Sequence, residues 1–385
     1  MTDWDGRSEM DLPLAAPRHD LSLRRAMKPQ ALRRDPMIWG AAIMLATAAG
    51  VAAWLTVNGD PAGGQPRAHV AVHIDPELRS EDIALPERTD PMSLEGAWQE
   101  ASVQLPPAGR DRVLSLSADV DPALVEDSVY GFLPRISEDG RRPMDAYARP
   151  TVRFAGRTRA RVAVVLTGLG LSERGTAATI EAMPGGVTLA FVPYPEEVAS
   201  WAAKARRDGH ETLLQVPQEP FGYPNNDPGP RAILSHLSAE ENVERLRWSL
   251  ARMHGYVGVA PFMGGRLALD QDALRPVVRE VAARGLLYVD DGSNPGSQLG
   301  AAAATVGAKA VATTARLQPG NASEVDAQLA AFEQQALSHG AGIVIAEAHP
   351  DIVARIGTWA ATLEERGLLL APVSSVASAT PVAAQ

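Results

Sequence analysis

The stretch Arg161-Val-Ala-Val-Val-Leu-Thr-Gly-Leu-Gly170 decides the fold. Its apolar residues run without alternation and then break into glycine. A run that is apolar on both faces reads as a strand buried between two layers, the signature of a parallel sheet covered by helices. The same unit recurs downstream as VTLAFV (187–192), TLLQV (212–216), YVGVA (256–260), LLYVD (286–290), AVATT (310–314), GIVIA (342–346) and LLLAPV (368–373).

Amphipathic helical stretches separate most of these runs: Glu197–Asp208, Glu240–Met253, Asp272–Arg284, Ser323–Ser338 and Ile352–Glu365. Gly209, Gly285, Gly340 and Gly367 follow them as stop signals, and Ser238 with Glu241 forms a capping-box pattern. Strand–helix units repeated in this way predict an α/β protein with a distorted (β/α) barrel. An open doubly wound sheet is the structural alternative.

Working outward, the chain has 385 residues, 45% of them hydrophobic, which suits one large domain plus additional segments. A net charge of −10 argues against nucleic acid as the main partner. The absence of cysteine excludes disulfides, thiolate catalysis and cysteine-ligated metals.

Residues Met37 to Val57 form an apolar run without a charge, and a segment of about 20 such residues spans a bilayer. Trp39 and Trp54 stand near its ends. Arg18, Arg24, Arg25, Lys28, Arg33 and Arg34 precede it, whereas no basic residue follows until Arg67. The positive-inside rule then expects a single-pass anchor with a cytoplasmic N-terminus and an exterior C-terminal domain, periplasmic in a two-membrane bacterium. The expected order is a basic cytoplasmic tail (1–36), the anchor (37–57), an extended Pro/Gly-rich linker (58–124), the barrel domain (125–376) and a short C-terminal tail (377–385).

In either α/β architecture function gathers at the C-terminal ends of the strands. Those ends carry Thr167, Gly168 and Gly170; Pro193 and Tyr194; Gln215, Gln218 and Glu219; Phe262, Met263 and Arg266; Asp290 and Asp291; Arg316; Glu347 and His349; and Ser374 with Ser375. Asp290, Asp291, Glu347 and His349 are the candidate catalytic groups. Asp290, Glu347 and His349, with Glu219 nearby, are candidate ligands for zinc or another divalent cation. Capping and ion pairing are the alternative for the same residues, because Asp291-Gly292-Ser293 and His349-Pro350-Asp351 are also helix or turn entrances.

Arg266 follows Gly264-Gly265 and can grip a carboxylate or sugar substituent, or pair with Asp290 or Glu219. The long loop Pro220–Pro230 offers Tyr223 and other sugar-contacting residue types. Together with Tyr194, Gln218, Glu219 and Arg266, Tyr223 completes the candidate binding set. Gly168, Gly170 and Gly175 echo a dinucleotide loop, but no acid ends the next strand to hold a ribose. Neither a Gly-x-Ser-x-Gly elbow nor a His-Glu-x-x-His helix is present.

The strings VAVVLTGLGLSERGT, GGVTLAFVPYP, DGHETLLQVPQEPFGYPNNDPGP, GYVGVAPFMGGRLA, RGLLYVDDGSNP and RGLLLAPVSSV resemble the divergent polysaccharide deacetylase family over roughly residues 125–376. The resemblance implies a glycoside hydrolase/deacetylase-type barrel with an exterior role toward an envelope polysaccharide or peptidoglycan-like glycan. It also implies metal-dependent hydrolysis, with an aspartate pair at the end of the first strand. Here Thr167 and Gly168 stand at that pair, Gln215 and Phe262 stand where histidines are common, and Glu347 replaces one histidine of a later pair. The resemblance therefore leaves two expectations open, a hydrolase with a displaced site or a barrel that binds a glycan or an envelope protein without catalysis.

Overall fold

Strand β3 (Ala160–Leu169) lies at the centre of the domain, in contact with three other strands. The computed structural model describes residues 94–101, 105, 114–151 and 158–379. The expected anchor, cytoplasmic tail and most of the linker lie outside the described residues. No described helix is long and apolar enough to cross a membrane.

From the N-terminus the described elements are helix α1 (Leu94–Glu100), an antiparallel hairpin of β1 (Val125–Ser128) and β2 (Gly131–Pro134), and the short helix α2 (Pro143–Ala146). The alternating part then begins: β3, α3 (Glu173–Ala182), β4 (Thr188–Phe191), α4 (Val198–Arg207), β5 (Thr212–Gln218), α5 (Ala239–Leu250), β6 (Gly258–Met263), α6 (Gln271–Ala283), β7 (Leu287–Asp290), α7 (Leu299–Val306) and β8 (Ala310–Ala312). It ends with β9 (Ala315–Arg316), α8 (Ala322–His339), β10 (Ala341–Glu347), α9 (Pro350–Ala360), β11 (Leu368–Leu370) and α10 (Val373–Ala379).

All pairings in the main sheet are parallel, in the order β8-β7-β6-β5-β4-β3-β10-β9. The first and last strands of this path, β8 and β9, are separated in the chain only by Thr313 and Thr314. The sheet is therefore curled, as a barrel-type fold requires. The expected strands are all present. The run at 310–314 differs in being broken: β8 pairs with β7, and β9 with β10.

Side chains of β3 alternate between two cores. Val162, Val164 and Leu166 pack with the helices, while Ala163 and Val165 join an inner cluster with Ala190, Leu213, Val289 and Ile345. Both faces are dry, so the strand needs no polar alternation. Leu166 is fully buried, and its truncation to alanine is expected to cost about 3 kcal/mol.

The helices end as their glycines predict. Gly340 and Gly367 sit in the left-handed region at φ 77° and 76°, where a Cβ would be strained. Ser238 and Glu241 form the expected capping box, and Asn321 with Glu324 forms a second one.

Two features depart from the sequence reading. The stretch read as an extended linker contains α1, whose Leu94 and Trp98 are buried, and Leu116 and Leu124 ahead of residue 125 are buried as well. Apolar residues spaced four apart in a proline-rich context gave too short a pattern to outweigh composition. The last strand also behaves differently: β11 pairs with the start of β3, Leu368 beside Ala160. Ser374 and Ser375 therefore lie toward the opposite end of the sheet from the other strand ends. There Ser374 donates its N–H and hydroxyl to the buried Glu211 at 3.0 and 2.5 Å.

Candidate functional site

The ends of β3, β5, β6, β7, β9 and β10 surround a cleft of about 320 Å³. Its floor and walls include Thr167, Gly168, Gln215, Phe262, Met263, Asp291, Ser293, Arg316, Gln318 and Glu347. The loop after β5 adds Pro220, Phe221 and Asn226, and Phe221 is 55% exposed.

The two positions that open the first strand's turn serve structure. Thr167 donates its hydroxyl to Ala346 O at 3.2 Å, tying β3 to β10. The Gly168 N–H donates to Gln215 Oε1 at 2.6 Å, and Gln215 Nε2 donates to Pro261 O at 3.1 Å. One amide thus staples the ends of three strands, and it is only 3% exposed. Both ends of this buried amide are thus engaged in holding strands together.

Charge in the cleft centres on Arg316. Its guanidinium lies 3.3 Å from Asp291 Oδ2 and donates to Asp291 O at the same distance. Asp291 also accepts the Ser293 N–H at 3.0 Å. Burial pushes the Asp291 carboxyl above the usual range, and Arg316 and Ser293 pull it back.

Glu347, the last residue of β10, is two residues beyond Ile345, the register partner of Arg316. Its carboxyl carries no hydrogen bond from another described group. Burial raises it, with only the Arg316 charge acting in the opposite direction. A half-buried carboxyl in a cleft, short of partners and held above its ordinary range, has the properties that acid–base and binding groups share.

The other expected site residues are dispersed. Asp290 accepts the Gly292 N–H at 3.0 Å in a tight turn and does not line the cleft. His349 begins α9 with its Nδ1 buried and unbonded, 3.8 Å from Asp351; burial lowers its pKa and Asp351 opposes this. It too stands off the cleft. Gln218 bonds the Tyr288 hydroxyl. Glu219 accepts from Ser235 N at 2.6 Å, and its carbonyl takes the N–H groups of Arg266 and Leu267.

Tyr194 packs on Trp248 with ring centroids 5.7 Å apart, and burial pushes its phenol up to about 12. The Arg266 side chain is exposed, and Tyr223 lies in the loop without lining the cleft. The structure therefore brings Asp291 and Glu347 together with Arg316, and leaves the other expected residues outside. Among the described residues no group of three or more histidine, aspartate or glutamate side chains is placed to hold a metal ion. The proposed ligand trio of Asp290, Glu347 and His349 thus does not fit a divalent cation, because a turn and a helix start carry its outer members away.

Several cleft residues escaped the candidate set. Phe221 and Asn226 belong to the loop singled out in the sequence, where residue type alone favoured Tyr223. Gln215, Phe262 and Arg316 stand at strand ends, the one signal that could have found them.

A model of the divergent polysaccharide deacetylase family matches residues 164–377, more than half of the chain. Over 174 residues the chain is 24% identical to the uncharacterized protein YibQ of Escherichia coli (strain K12), covering 45% of this chain and 54% of that one. The chain thus spans about half the length of that curated relative. A crystal structure of the uncharacterized protein ATU2773 from Agrobacterium tumefaciens C58 aligns with a TM-score of 0.61 at 39% identity, over 64% of this chain and 99% of that one. With its curled parallel sheet and its strand-end cleft, the chain belongs to the divergent polysaccharide deacetylase family.

Proposed function

We propose that the cleft binds a glycan of the cell envelope and that it does so without the metal-dependent chemistry of related deacetylases. The observation that carries this reading is the cleft's composition. Arg316, Asp291 and Glu347 supply directional polar groups, and Phe221 and Phe262 supply ring surface. Aromatic faces with a few charged and amide groups are a common way to bind a sugar. The degenerate site is supported by the positions where proton and metal handling would be expected: Thr167 and Gln215 spend their polar atoms on strand-to-strand bonds, and Gly168 has no side chain.

The cleft is carried on the exterior side of the inner membrane by the apolar run Met37–Val57, with the basic N-terminal tail in the cytoplasm. The charge asymmetry around that run supports the orientation. Deleting residues 37–57 should move the protein from the membrane to the soluble exterior or cytoplasmic fraction; an unchanged membrane fraction would remove the anchor.

A second reading follows from Glu347 alone. A carboxyl raised above its ordinary range by burial is the kind of group that a hydrolase acting by general acid–base chemistry uses. Titration of the purified protein with a β-1,4-linked N-acetylglucosamine oligosaccharide, with and without a chelator, separates the readings. Chelator-resistant binding without turnover supports the glycan-binding barrel. Turnover lost in Glu347→Gln supports the hydrolase. Stoichiometric metal required for either activity contradicts both.

A further inference from the structure

Helix α1 is seated beside the cleft on a surface shaped to receive it. The Leu94 methyl lies 2.9 Å from where a Cβ on Gly168 would stand, and Glu347 Cγ lies 3.4 Å from the same point. Leu94 therefore occupies the space into which a side chain at 168 would project, next to the stem of Glu347. One turn on, the Trp98 indole lies over Gly175, where a Cβ would meet the ring at 2.5 Å. Trp98 Nε1 donates to Ala348 O at 2.9 Å, the residue that follows Glu347. At the edge, the Glu95 carboxylate accepts from Ser172, the N-cap of α3.

Two glycines, a backbone carbonyl and a capping serine thus form a seat for one short helix. Its seven residues are far fewer than the roughly 12–15 that a helix needs to persist alone in water. Folding of α1 is therefore coupled to its docking. With only two buried apolar side chains holding it, it belongs to the class of elements that open locally while the rest of the domain stays folded.

We propose that α1 is an intramolecular strap, docked by Leu94 and Trp98 on the β3–β10 rim, that limits access to Glu347 and opens the cleft when it lifts.

The natural chain has no cysteine, so a single introduced thiol reports access without background. Glu347→Cys in the full chain places the probe beside Leu94, and Ser293→Cys places a control on another wall of the cleft. The reactivity of each with iodoacetamide is measured in the otherwise natural chain, with Leu94→Ala, and with Leu94→Ala and Trp98→Ala together. The strap predicts that modification at 347 accelerates at least about tenfold in the double variant and by less in the single one, while the rate at 293 changes less than about twofold. Equal rates at 347 with and without the substitutions would overturn the proposal. Equal acceleration at both positions would do so as well, since it would make α1 a general brace of the domain. Neither outcome bears on which ligand the cleft takes.

Discussion

Two glutamates at opposite ends of the sheet, one fully buried and one half-buried, show how this fold separates structure from function. Glu211 immediately precedes β5, at its N-terminal end. It is completely buried, and it accepts from Arg149 N at 3.1 Å and from the N–H and hydroxyl of Ser374 at 3.0 and 2.5 Å. Glu347 ends β10 at the other end, with the Arg316 charge as its only counterweight and no donor satisfying it. Burial raises both carboxyls. Around Glu211 the donors have been assembled to meet the need, and the result is a clasp joining β5, α10 and the segment before the barrel. Around Glu347 the need has been left open. A half-buried carboxyl without protein donors, lining a cleft, is placed to meet a ligand.

The comparison is most easily broken at the clasp. Glu211→Ala would strand several buried donors at once and is expected to destabilise the domain by about 4 kcal/mol in chemical denaturation. A loss below about 1 kcal/mol would mean that the clasp is incidental. The staple at the cleft floor comes next. Gln215→Ala leaves the Gly168 N–H and the Pro261 carbonyl without partners, a cost of about 2 kcal/mol by the same measurement.

The opposite sign is expected at Glu347. Replacing it with glutamine removes a charge that burial penalises, so Glu347→Gln should raise stability at neutral pH by roughly 1 kcal/mol. The pH dependence sharpens the point. A carboxyl whose folded pKa is raised contributes stability that is fully present below the ordinary glutamate range and is lost as pH rises through the raised value. The contribution of Glu347 to the melting temperature should therefore grow as pH falls toward the ordinary glutamate range, and Glu347→Gln should remove that part of the slope. The smallest effect belongs to Trp98→Phe, which keeps the ring in its seat but loses the bond to Ala348 O. About 1 kcal/mol or less is expected, read best as faster hydrogen exchange in the α1 peptide.

How much of this was legible in the sequence depends on the range of the interactions. The strands, most helices and their glycine stops follow from local periodicity and backbone sterics, and they agree residue for residue within small shifts. Of the residues that strand-end reasoning singled out, Asp291 and Glu347 line the cleft. The same reasoning failed at their neighbours for stereochemical reasons. In the pair Asp290-Asp291, the turn at Gly292 recruits the first carboxylate and aims the second at Arg316. In Glu347-Ala-His349, strand alternation would put both ends on one face, but β10 stops at Glu347 and His349 turns away as the N-cap of α9. Arg266 leaves the cleft because Gly264 and Gly265 bend the chain into a short helical turn. The seating of Leu94 against Gly168 was not legible at all, since no local pattern marks a contact so distant in the chain.

The central claim is that Glu347 serves a ligand while Glu211 serves the fold, and one paired measurement on Glu347→Gln tests it most directly. Its melting temperature and its affinity for the N-acetylglucosamine oligosaccharide are compared with those of the natural chain at neutral pH. The account predicts a higher melting temperature with affinity reduced at least about tenfold, the loss expected when a half-buried carboxylate's hydrogen bonds to a ligand are removed. A lower melting temperature with unchanged affinity would make Glu347 a second structural clasp and would contradict it.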